Sequence, residues 1–380
     1  MLYSKKSQEI GVASSIEQNE LVYKKRREGG DPIILSYGEA PFKISPILSK
    51  ESDWERGCHY SEGKGVPEFR QEIAKYIKDV TDVEISWEKN ILVSAGSKII
   101  SYFIAQALLN PGDNIMLHEP SWVSYQEHAK LNQASTTFLD YTRSVYDFED
   151  LYKSHPNTKL IYLNNPNNPR GYVYSEKELR WLANFCADKN IVLAIDESYS
   201  DFVIDEDFYS GIILIKDFPN VVVFNSISKN FGLSGWRIGY CVGSEDFINR
   251  LNKFNQHLIT CAPTCLQLDL VGKLSTLRAE IGPQLKALNS KRSDVIDLLQ
   301  KFGFKYLSGS STFYVFIDVS HKVNDTKQFA VEFLEKSNVS LIPGGAYGES
   351  TSGFLRLSFA IEPIDRIELA LTRLHSALND

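Results

Sequence analysis

The chain has 380 residues and carries 41 Lys and Arg against 48 Asp and Glu, a formal net charge of −7. This length is more than one compact core usually holds, so we expect two domains. Mild acidity without a basic stripe argues against a nucleic-acid partner. No segment approaches the roughly 18 consecutive apolar residues of a membrane helix, and the basic N-terminus lacks an apolar signal region. We therefore expect a cytoplasmic protein that binds neither nucleic acid nor a membrane.

The five cysteines are an odd number scattered through a long chain, which is not the pattern of a disulfide framework. Cys261 and Cys265 form a C-x3-C pair, but no second pair of ligands stands nearby. Two buried thiols are therefore favoured over a metal site, and we expect no metal.

The predicted elements begin with a helix at residues 15–28 and a short strand at residues 33–36. Short apolar runs follow at residues 91–93, 114–117, 160–163, 191–195, 221–224 and 240–242. Continuous apolar runs indicate strands buried on both faces of a largely parallel sheet. Between them, residues 175–189 are predicted to be a helix, with Ser175 as N-cap and Glu178 as its capping-box partner.

The last hundred residues have a different pattern. Helices are predicted at residues 282–302, 326–336 and 363–378, around strands at residues 312–317, 339–342 and 354–358. We expect a large three-layer α/β/α domain with a mainly parallel sheet over residues 46–280. Residues 281–380, together with the N-terminal residues 1–45, are expected to form a smaller α+β domain.

Polar or glycine residues follow four of the apolar runs, which is where ligands bind in open α/β sheets. Gly96, Ser97 and Lys98 follow the first run and open a helical stretch, so their backbone amides suit an anion such as phosphate. This signal is weak alone, because many turns from strand to helix look alike. Residues 164–171 follow the third run, and their prolines and Asn168 fit either a rigid ligand-holding loop or a plain connection.

Two further groups of residues follow the fourth and fifth runs. Asp196 is either the N-cap of the next segment or the counter-ion of a buried cation. Lys229 alone would most often be a surface residue. Here Ser226 and Ser228 precede it and Arg237 lies on the following glycine-rich turn, and such groups suit a phosphate. A lysine among cationic groups also suits Schiff-base chemistry, because its pKa is lowered there.

In this order, on successive strand ends, these residues resemble the fold-type I aminotransferases, the aspartate aminotransferase superfamily. Residues 226–240 look like the family signature around the cofactor lysine, and the resemblance covers nearly the whole chain. It implies a pyridoxal 5′-phosphate (PLP) enzyme in which Lys229 binds the cofactor as a Schiff base and later carries a proton between the substrate Cα and the cofactor C4′.

The resemblance also implies the other cofactor contacts. The phosphate contacts are expected to be Ser226, Ser228, Arg237 and the turn of Gly96, Ser97 and Lys98. Asp196 would pair with the pyridinium nitrogen and keep it protonated. Tyr199 and Asn168 would hydrogen-bond the ring O3′, and Trp122 would stack on the ring. Tyr60 matches a tyrosine that reaches the phosphate of the neighbouring subunit, which implies a homodimer with shared active sites.

The substrate contacts implied are Arg356, Gly38, Asn168 and Trp122, with Arg356 binding the α-carboxylate. A surface charge for Arg356 and core packing for Trp122 are the plainer interpretations, and the positions of both residues near predicted strands favour the functional ones. The chain departs from the family at Ser198, where a small apolar residue is usual, at Arg170, which replaces Thr or Ser, and at Ala40, which replaces Pro.

These features predict an aminotransferase that moves an amino group between an L-amino acid and a 2-oxo acid by ping-pong chemistry. Residues 96–98 and 122–125 look most like the aspartate/prephenate subgroup, where a lysine at the position of Lys98, helped by a hydroxyl near Ser15, meets a distal carboxylate. Aspartate or glutamate is therefore the expected donor, although Lys98 also fits a solvated lysine at a helix start. Ser198 keeps open another PLP reaction: elimination, decarboxylation or oxidation. A PLP-sensing regulator would carry an additional DNA-binding domain, which we do not expect.

Overall fold

The computed structural model of the chain describes residues 4–45, 54–203 and 208–379. Residue 46, the predicted start of the larger domain, lies outside the described residues.

The helices and strands of the described ranges are named here in chain order. The helices are α1 (Lys5–Glu9), α2 (Ser14–Arg27), α3 (Trp54–Gly57), α4 (Pro67–Thr81), α5 (Ser97–Leu108), α6 (Ser124–Leu131), α7 (Phe148–Ser154), α8 (Glu176–Asp188), α9 (Ile227–Asn230), α10 (Glu245–Leu258), α11 (Thr264–Leu270), α12 (Leu274–Lys301), α13 (Thr326–Ser337) and α14 (Ile364–Asn379). The strands are β1 (Ile33–Ile34), β2 (Ile91–Ser94), β3 (Asn114–His118), β4 (Ser135–Leu139), β5 (Thr158–Asn164), β6 (Val192–Asp196), β7 (Val221–Ser226), β8 (Gly239–Val242), β9 (Lys305–Leu307), β10 (Tyr314–Asp318), β11 (Val339–Ser340), β12 (Ile342–Pro343) and β13 (Phe354–Ser358).

The largest sheet has seven strands in the order β2-β8-β7-β6-β5-β3-β4. Strand β8 runs opposite to the other six strands of this sheet, so the predicted mainly parallel sheet is confirmed. In the pairing of β5 with β6, Asn164 lies beside Asp196, and in the next pairing Asp196 lies beside Phe224. The carboxyl ends of β5, β6 and β7 therefore meet at one edge of the sheet.

Both faces of this sheet are covered, which explains the continuous apolar runs. Along β6, Leu193 and Ile195 belong to one buried cluster and Ala194 to the other, on the opposite face. The same alternation separates Val223 from Phe224 on β7. A fully buried side chain of this kind stabilises the fold by about 1.5–3 kcal/mol, so the strands at the centre of the sheet form a rigid support for the residues at their ends.

Most of the predicted helices form within one or two residues of their expected bounds. Helix α8 begins after Ser175, whose hydroxyl accepts from the Glu178 amide while the Glu178 carboxylate accepts from the Ser175 amide, so the predicted capping box is confirmed. The helix predicted to start at residue 282 is wrong at that end. It continues back to Leu274 as α12, through Gly282 and Pro283. The proline removes one helical hydrogen bond, but the burial of Leu277 and Ile281 offsets this loss.

The C-terminal part has the predicted α+β character. Its antiparallel sheet has the order β12-β13-β10-β9, and the strand predicted over residues 339–342 divides at Leu341 into β11 and β12. The N-terminal strand β1 pairs in parallel with β11, Ile33 beside Val339, so the N-terminal segment packs on the C-terminal part. The predicted boundary at residues 280 and 281 lies inside α12, and the division into domains stays a prediction.

Within the three described ranges, no helix combines the length and the apolar character that a membrane span needs.

The loop after β5 packs closely against the segment before β10. Gly171, with φ of +69°, accepts a hydrogen bond from the Ser311 amide at 3.2 Å, and a Cβ at Gly171 would overlap the Ser311 carbonyl. Only glycine fits at this contact between the two parts of the chain.

We expect Gly171→Ala to lower the apparent free energy of unfolding more than Gly303→Ala does. Gly303 has a similar φ of +72° but has open space where a Cβ would be, so its substitution should cost only about 1 kcal/mol of backbone strain. Gly171→Ala should cost about 1–3 kcal/mol more, because the backbones must also separate. Chemical denaturation of the purified variants measures this difference, and equal losses would contradict the close contact.

Candidate active site

A cavity of about 420 Å³ opens at the edge of the large sheet where the parallel strands end. Helix α2 and strands β10 and β13 supply its other walls. Of the residues predicted for the site, those that line the cavity are Gly38, Ser97, Lys98, Trp122, Asn168, Asp196, Tyr199, Ser226, Ser228, Lys229, Arg237 and Arg356. The structure therefore brings most of the predicted site together, from segments that lie far apart in the sequence.

Lys229 lies on the short helix α9, directly after β7. The Ser226 side chain caps this helix by accepting from the Ser228 amide at 3.1 Å, and the Lys229 ammonium donates to the Gly38 carbonyl. Burial lowers the pKa of Lys229 to about 8, with the nearby positive charge of Arg356 adding to the effect and Glu39 opposing it. A lysine with this pKa is partly uncharged near neutral pH and is able to act as a nucleophile or a base.

The N-terminus of α5 and the turn after α9 together form a cup for an anion. Helix α5 starts without a side-chain cap, which leaves its first amides free for a ligand. Arg237 lies against this turn: its Nη1 donates to the Ser234 carbonyl at 2.7 Å and lies 3.4 Å from Ser228 Oγ. Gly96 makes the close approach possible, because its φ is +92° and a Cβ there would lie 2.5 Å from Arg237 Nη2.

Asp196 is buried at the end of β6 and is held by three donors. The Ser198 hydroxyl and amide donate to Oδ1 at 2.6 and 3.0 Å, and the Tyr125 hydroxyl donates to Oδ2 at 2.7 Å. Burial raises the pKa of Asp196, while these hydrogen bonds and the charge of Lys229 oppose the rise. The carboxylate therefore has a fixed orientation at the wall of the cavity.

Two asparagines and two tyrosines form a polar network next to Asp196. Asn164 accepts from the Asn168 amide at 2.7 Å, and Asn168 Nδ2 donates to the Tyr199 hydroxyl at 3.1 Å. The Tyr199 hydroxyl lies 3.0 Å from that of Tyr314 on β10. Asn168 Oδ1 is buried and has no hydrogen-bond partner among the described residues. A buried orphan of this kind indicates a place for a polar ligand atom.

Arg356 on β13 is a buried cation without a described anionic partner. Its Nη2 donates to the Ser36 carbonyl at 2.6 Å, and its guanidinium lies 4.4 Å from the ring centre of Tyr314 and 5.5 Å from that of Tyr347. Its Nε, also buried, has no partner in the described ranges. Because a buried charge is costly unless it is paired, this arginine is suited to an anionic ligand.

Lys98 and Trp122 lie together on another wall of the cavity. The Lys98 ammonium lies 5.2 Å from the ring centre of Trp122, and the Tyr125 ring packs against the indole at an angle of 75° with the ring centres 5.2 Å apart. Lys98 is exposed to solvent in the cavity, although protein atoms surround part of its side chain. This partial burial, together with the charge of Arg237, lowers its pKa.

Two predicted site residues do not line the cavity. Gly96 lies beneath Arg237, as described above. Tyr60 is 85% exposed and lies outside the cavity of its own chain.

Of the three departures from the family pattern, only Ser198 lines the cavity. Arg170 lies 5.0 Å from the ring centre of Tyr172 and donates to the Tyr141 carbonyl at 3.2 Å, and Ala40 is buried beside the turn at Gly232. Arg170 and Ala40 thus pack next to the site without entering it.

Other cavity residues were missed from the sequence. Those not predicted to be site residues are Ile16, Asn19, Glu39, Asn164, Ser234 and Tyr314, and Tyr125 reaches the site through Asp196. Asn164 could have been predicted from the sequence, because it directly follows an apolar run and lies four residues before Asn168. Tyr314 carried none, since it belongs to a strand of the C-terminal part. No group of three metal-ligand side chains occurs in the described part of the chain.

The model of the family "Aminotransferase class I and II" matches residues 44–374. The chain belongs to this family. The aminotransferase is 29% identical to an aspartate aminotransferase of Thermotoga maritima, with all of both chains covered. It is 30% identical to a probable aspartate/prephenate aminotransferase of Aquifex aeolicus, with 93% of each chain covered. The structure of the Thermus thermophilus aspartate aminotransferase with maleate superimposes with a TM-score of 0.89 at 25% identity, over all of both chains.

The protein is accordingly an enzyme of amino-group transfer that uses PLP. Its cavity fits this cofactor on two observations: a cup of amides, hydroxyls and an arginine suits the phosphate, and the unpaired Asn168 Oδ1 lies in a buried polar network beside Asp196.

We expect Gly96→Ala to weaken PLP binding by at least roughly tenfold, because the new methyl group displaces Arg237 and strains the backbone. Gly235→Ala is the matched control, since it lies in the same arginine turn and a Cβ there meets nothing within 4 Å. Titration of the cofactor-free proteins with PLP measures both affinities. Equal affinities in the two variants would show that the Gly96 contact is unimportant.

Proposed function

We propose that this aminotransferase takes an acidic amino acid, aspartate or glutamate, as donor and 2-oxoglutarate or a related 2-oxo acid as acceptor. The observation that carries the proposal is that Arg356 and Lys98 line one cavity and neither has an anionic partner among the described residues. A substrate with two carboxylates supplies one anion for each cation.

Arg356 is proposed to bind the α-carboxylate. Its guanidinium is held by the Ser36 carbonyl and by two aromatic rings, so little side-chain entropy remains to be lost when a carboxylate binds bidentately. A Cβ at Gly38 would lie 3.0 Å from the Tyr314 hydroxyl and 3.9 Å from Arg356 Nη2. Glycine thereby leaves room at this position for the carboxylate.

Lys98 is proposed to bind the distal carboxylate, with Ser15 nearby on the cavity wall. An ammonium whose pKa is lowered by its surroundings gains when an anion approaches, because the anion offsets both the partial burial and the repulsion from Arg237. Maleate, present in the related Thermus structure, is a dicarboxylate, and the relatives of known name include aspartate aminotransferases. Both facts support an acidic substrate.

For the cofactor, Ser226, Ser228, Arg237 and the turn at Gly96, Ser97 and Lys98 are proposed to hold the phosphate. Trp122 is proposed to cover one face of the ring, Asn168 and Tyr199 to bind its O3′, and Asp196 to bind its nitrogen. When bound, PLP supplies a ring that accepts the electron pair released at the substrate Cα. An ionised Asp196 favours the protonated ring nitrogen that this chemistry needs.

Lys229 is proposed to attach the cofactor and to move the proton at the substrate Cα through its Nζ. Its pKa of about 8 supports both tasks, because the uncharged amine is available near neutral pH. Tyr314 supports them indirectly. Its hydroxyl lies 3.0 Å from that of Tyr199, and with Tyr314 as the donor of this hydrogen bond the Tyr199 proton is left free for O3′.

The enzyme is further proposed to be a cytoplasmic homodimer with shared active sites. Tyr60 is 85% exposed although tyrosine is commonly half-buried, and it lies outside its own cavity. A tyrosine in this position is able to reach the phosphate held by a second copy.

We expect Lys98→Met to lower kcat/KM for aspartate and glutamate by about 10- to 100-fold, because the substrate loses one hydrogen bond to a charged group. The efficiency with alanine should change little, because alanine has no distal carboxylate. Lys130→Met is the matched control, since Lys130 lies on the neighbouring helix α6, is paired with Glu127 and does not line the cavity. Stopped-flow absorbance of the cofactor with each amino acid measures the rates. An unchanged preference for aspartate in Lys98→Met would refute the acidic substrate.

We also expect Lys229→Ala and Tyr60→Ala homodimers to have little activity alone and to recover activity after mixing and subunit exchange. In a shared-site dimer, the mixed dimer has one site with both changes and one site with neither. Each variant mixed with itself is the control. If mixing restores nothing while mixed dimers form, Tyr60 acts within its own chain or not at all.

A further inference from the structure

Ser198 is the one departure from the family pattern that lies inside the cavity. It follows β6 by two residues and is buried, with only 6% of its surface exposed. Its hydroxyl lies 2.6 Å from Asp196 Oδ1 and 3.4 Å from Ser97 Oγ. A hydroxyl has one proton, and the shorter contact, to a carboxylate that is acceptor-only, takes it.

The hydroxyl completes the set of donors around Asp196. The Ser198 amide, at 3.0 Å, would be present with any residue except proline at this position, and Tyr125 serves the other carboxylate oxygen from α6. Only serine or threonine adds the third donor. A small apolar residue, the usual family choice, leaves Oδ1 with the backbone amide alone.

We propose that Ser198 is a positioning residue that keeps the Asp196 carboxylate ionised and oriented toward the cofactor ring. The proposal rests on the proposed role of Asp196 as partner of the ring nitrogen. Ser198 also lies next to Ser97 of the phosphate cup. It therefore lies between the groups that are proposed to bind the ring nitrogen and the phosphate of the cofactor.

The charged and titratable groups near Asp196 come from the site described above and from two neighbours outside the cavity, Tyr162 on β5 and Glu197 directly after β6. Lys229 on α9 favours the ionised form, as does the Tyr125 hydroxyl on α6, and burial opposes it. Tyr162 and Glu197, both buried, and Tyr199 are the other titratable neighbours. Among the hydrogen bonds that lower the pKa of Asp196, the one from the Ser198 hydroxyl is the largest contributor.

Loss of that hydroxyl should shift the pKa of Asp196 in one direction. Without it the pKa of Asp196 rises, so the carboxylate takes up a proton at a higher pH as the solution is acidified. A protonated Asp196 no longer offers a negative charge to the ring nitrogen. PLP should therefore leave the variant at a higher pH than it leaves the unaltered enzyme.

The test is the PLP affinity of the enzyme, measured by equilibrium dialysis from pH 5 to pH 8, for Ser198→Ala, Ser198→Thr and Ser200→Ala. We expect the loss of affinity on acidification to move up by about one pH unit in Ser198→Ala. Ser198→Thr keeps the hydroxyl and should follow the unaltered enzyme. Ser200→Ala is the matched control, because that hydroxyl binds Asn225 and Asn230 instead of Asp196. The phosphate and ring of free PLP titrate alike in every sample, so their contribution cancels in the comparison.

Asp196→Asn separates the two levels of the proposal. We expect it to weaken PLP binding at every pH. If it does so while the Ser198→Ala curve coincides with that of the unaltered enzyme, the positioning role of Ser198 is wrong and Asp196 keeps its proposed role. If Ser198→Thr shifts as far as Ser198→Ala, packing rather than the hydroxyl is responsible, which also overturns the proposal. If Asp196→Asn binds PLP normally, the proposed role of Asp196 fails, and that of Ser198 with it.

Discussion

Parallel pairing of β5, β6 and β7 is the constraint on which the site depends. Parallel strands end at the same edge, and the register sets Asn164 beside Asp196 with Ser226 on the next strand. The strands are buried on both faces, so these ends cannot shift without disturbing two apolar clusters. Lys229 inherits this rigidity, because α9 begins directly after the last residue of β7.

Positive charge predominates among the side chains that line the cavity. Lys98, Lys229, Arg237 and Arg356 line it, against the carboxylates of Asp196 and Glu39. Asp196 is already served by three donors, and Glu39 accepts from Ser234 at 2.9 Å. The four cations are therefore in excess of the carboxylates that line the cavity, which supports the proposal that they bind a phosphate and substrate carboxylates. The same surplus of positive charge, added to burial, holds the pKa of Lys229 low.

The sequence predicted the large sheet and the residues at its strand ends well, because both depend on local patterns. Apolar runs predict buried strands. The polar residues that follow these runs lie at the edge where the parallel strands end, and this placement does not depend on the rest of the chain. It failed where distant segments meet. Tyr314 enters the site from a strand of the C-terminal part, and no sequence pattern around Tyr314 predicts its contact with the Tyr199 hydroxyl. The sequence marks the Ser198 hydroxyl as unusual, but only the structure shows that it donates to Asp196. The start of α12 was missed because Gly282 and Pro283 resemble a helix boundary, whereas burial of Leu277 and Ile281 continues the helix.

The pairing of β1 with β11 has a consequence for the order in which the chain acquires its parts during synthesis. Ser36 and Arg356 are 320 residues apart, so the wall that carries Arg356 cannot form until nearly the whole polypeptide has left the ribosome. The strands β5, β6 and β7, which end at or shortly before Asn168, Asp196 and Lys229, emerge much earlier and are able to pair before that point. A nascent chain therefore has the lysine side of its cavity long before it has the arginine side. Until then, the apolar residues Ile33 and Ile34 at the N-terminus lack their strand partner and must avoid other exposed edges.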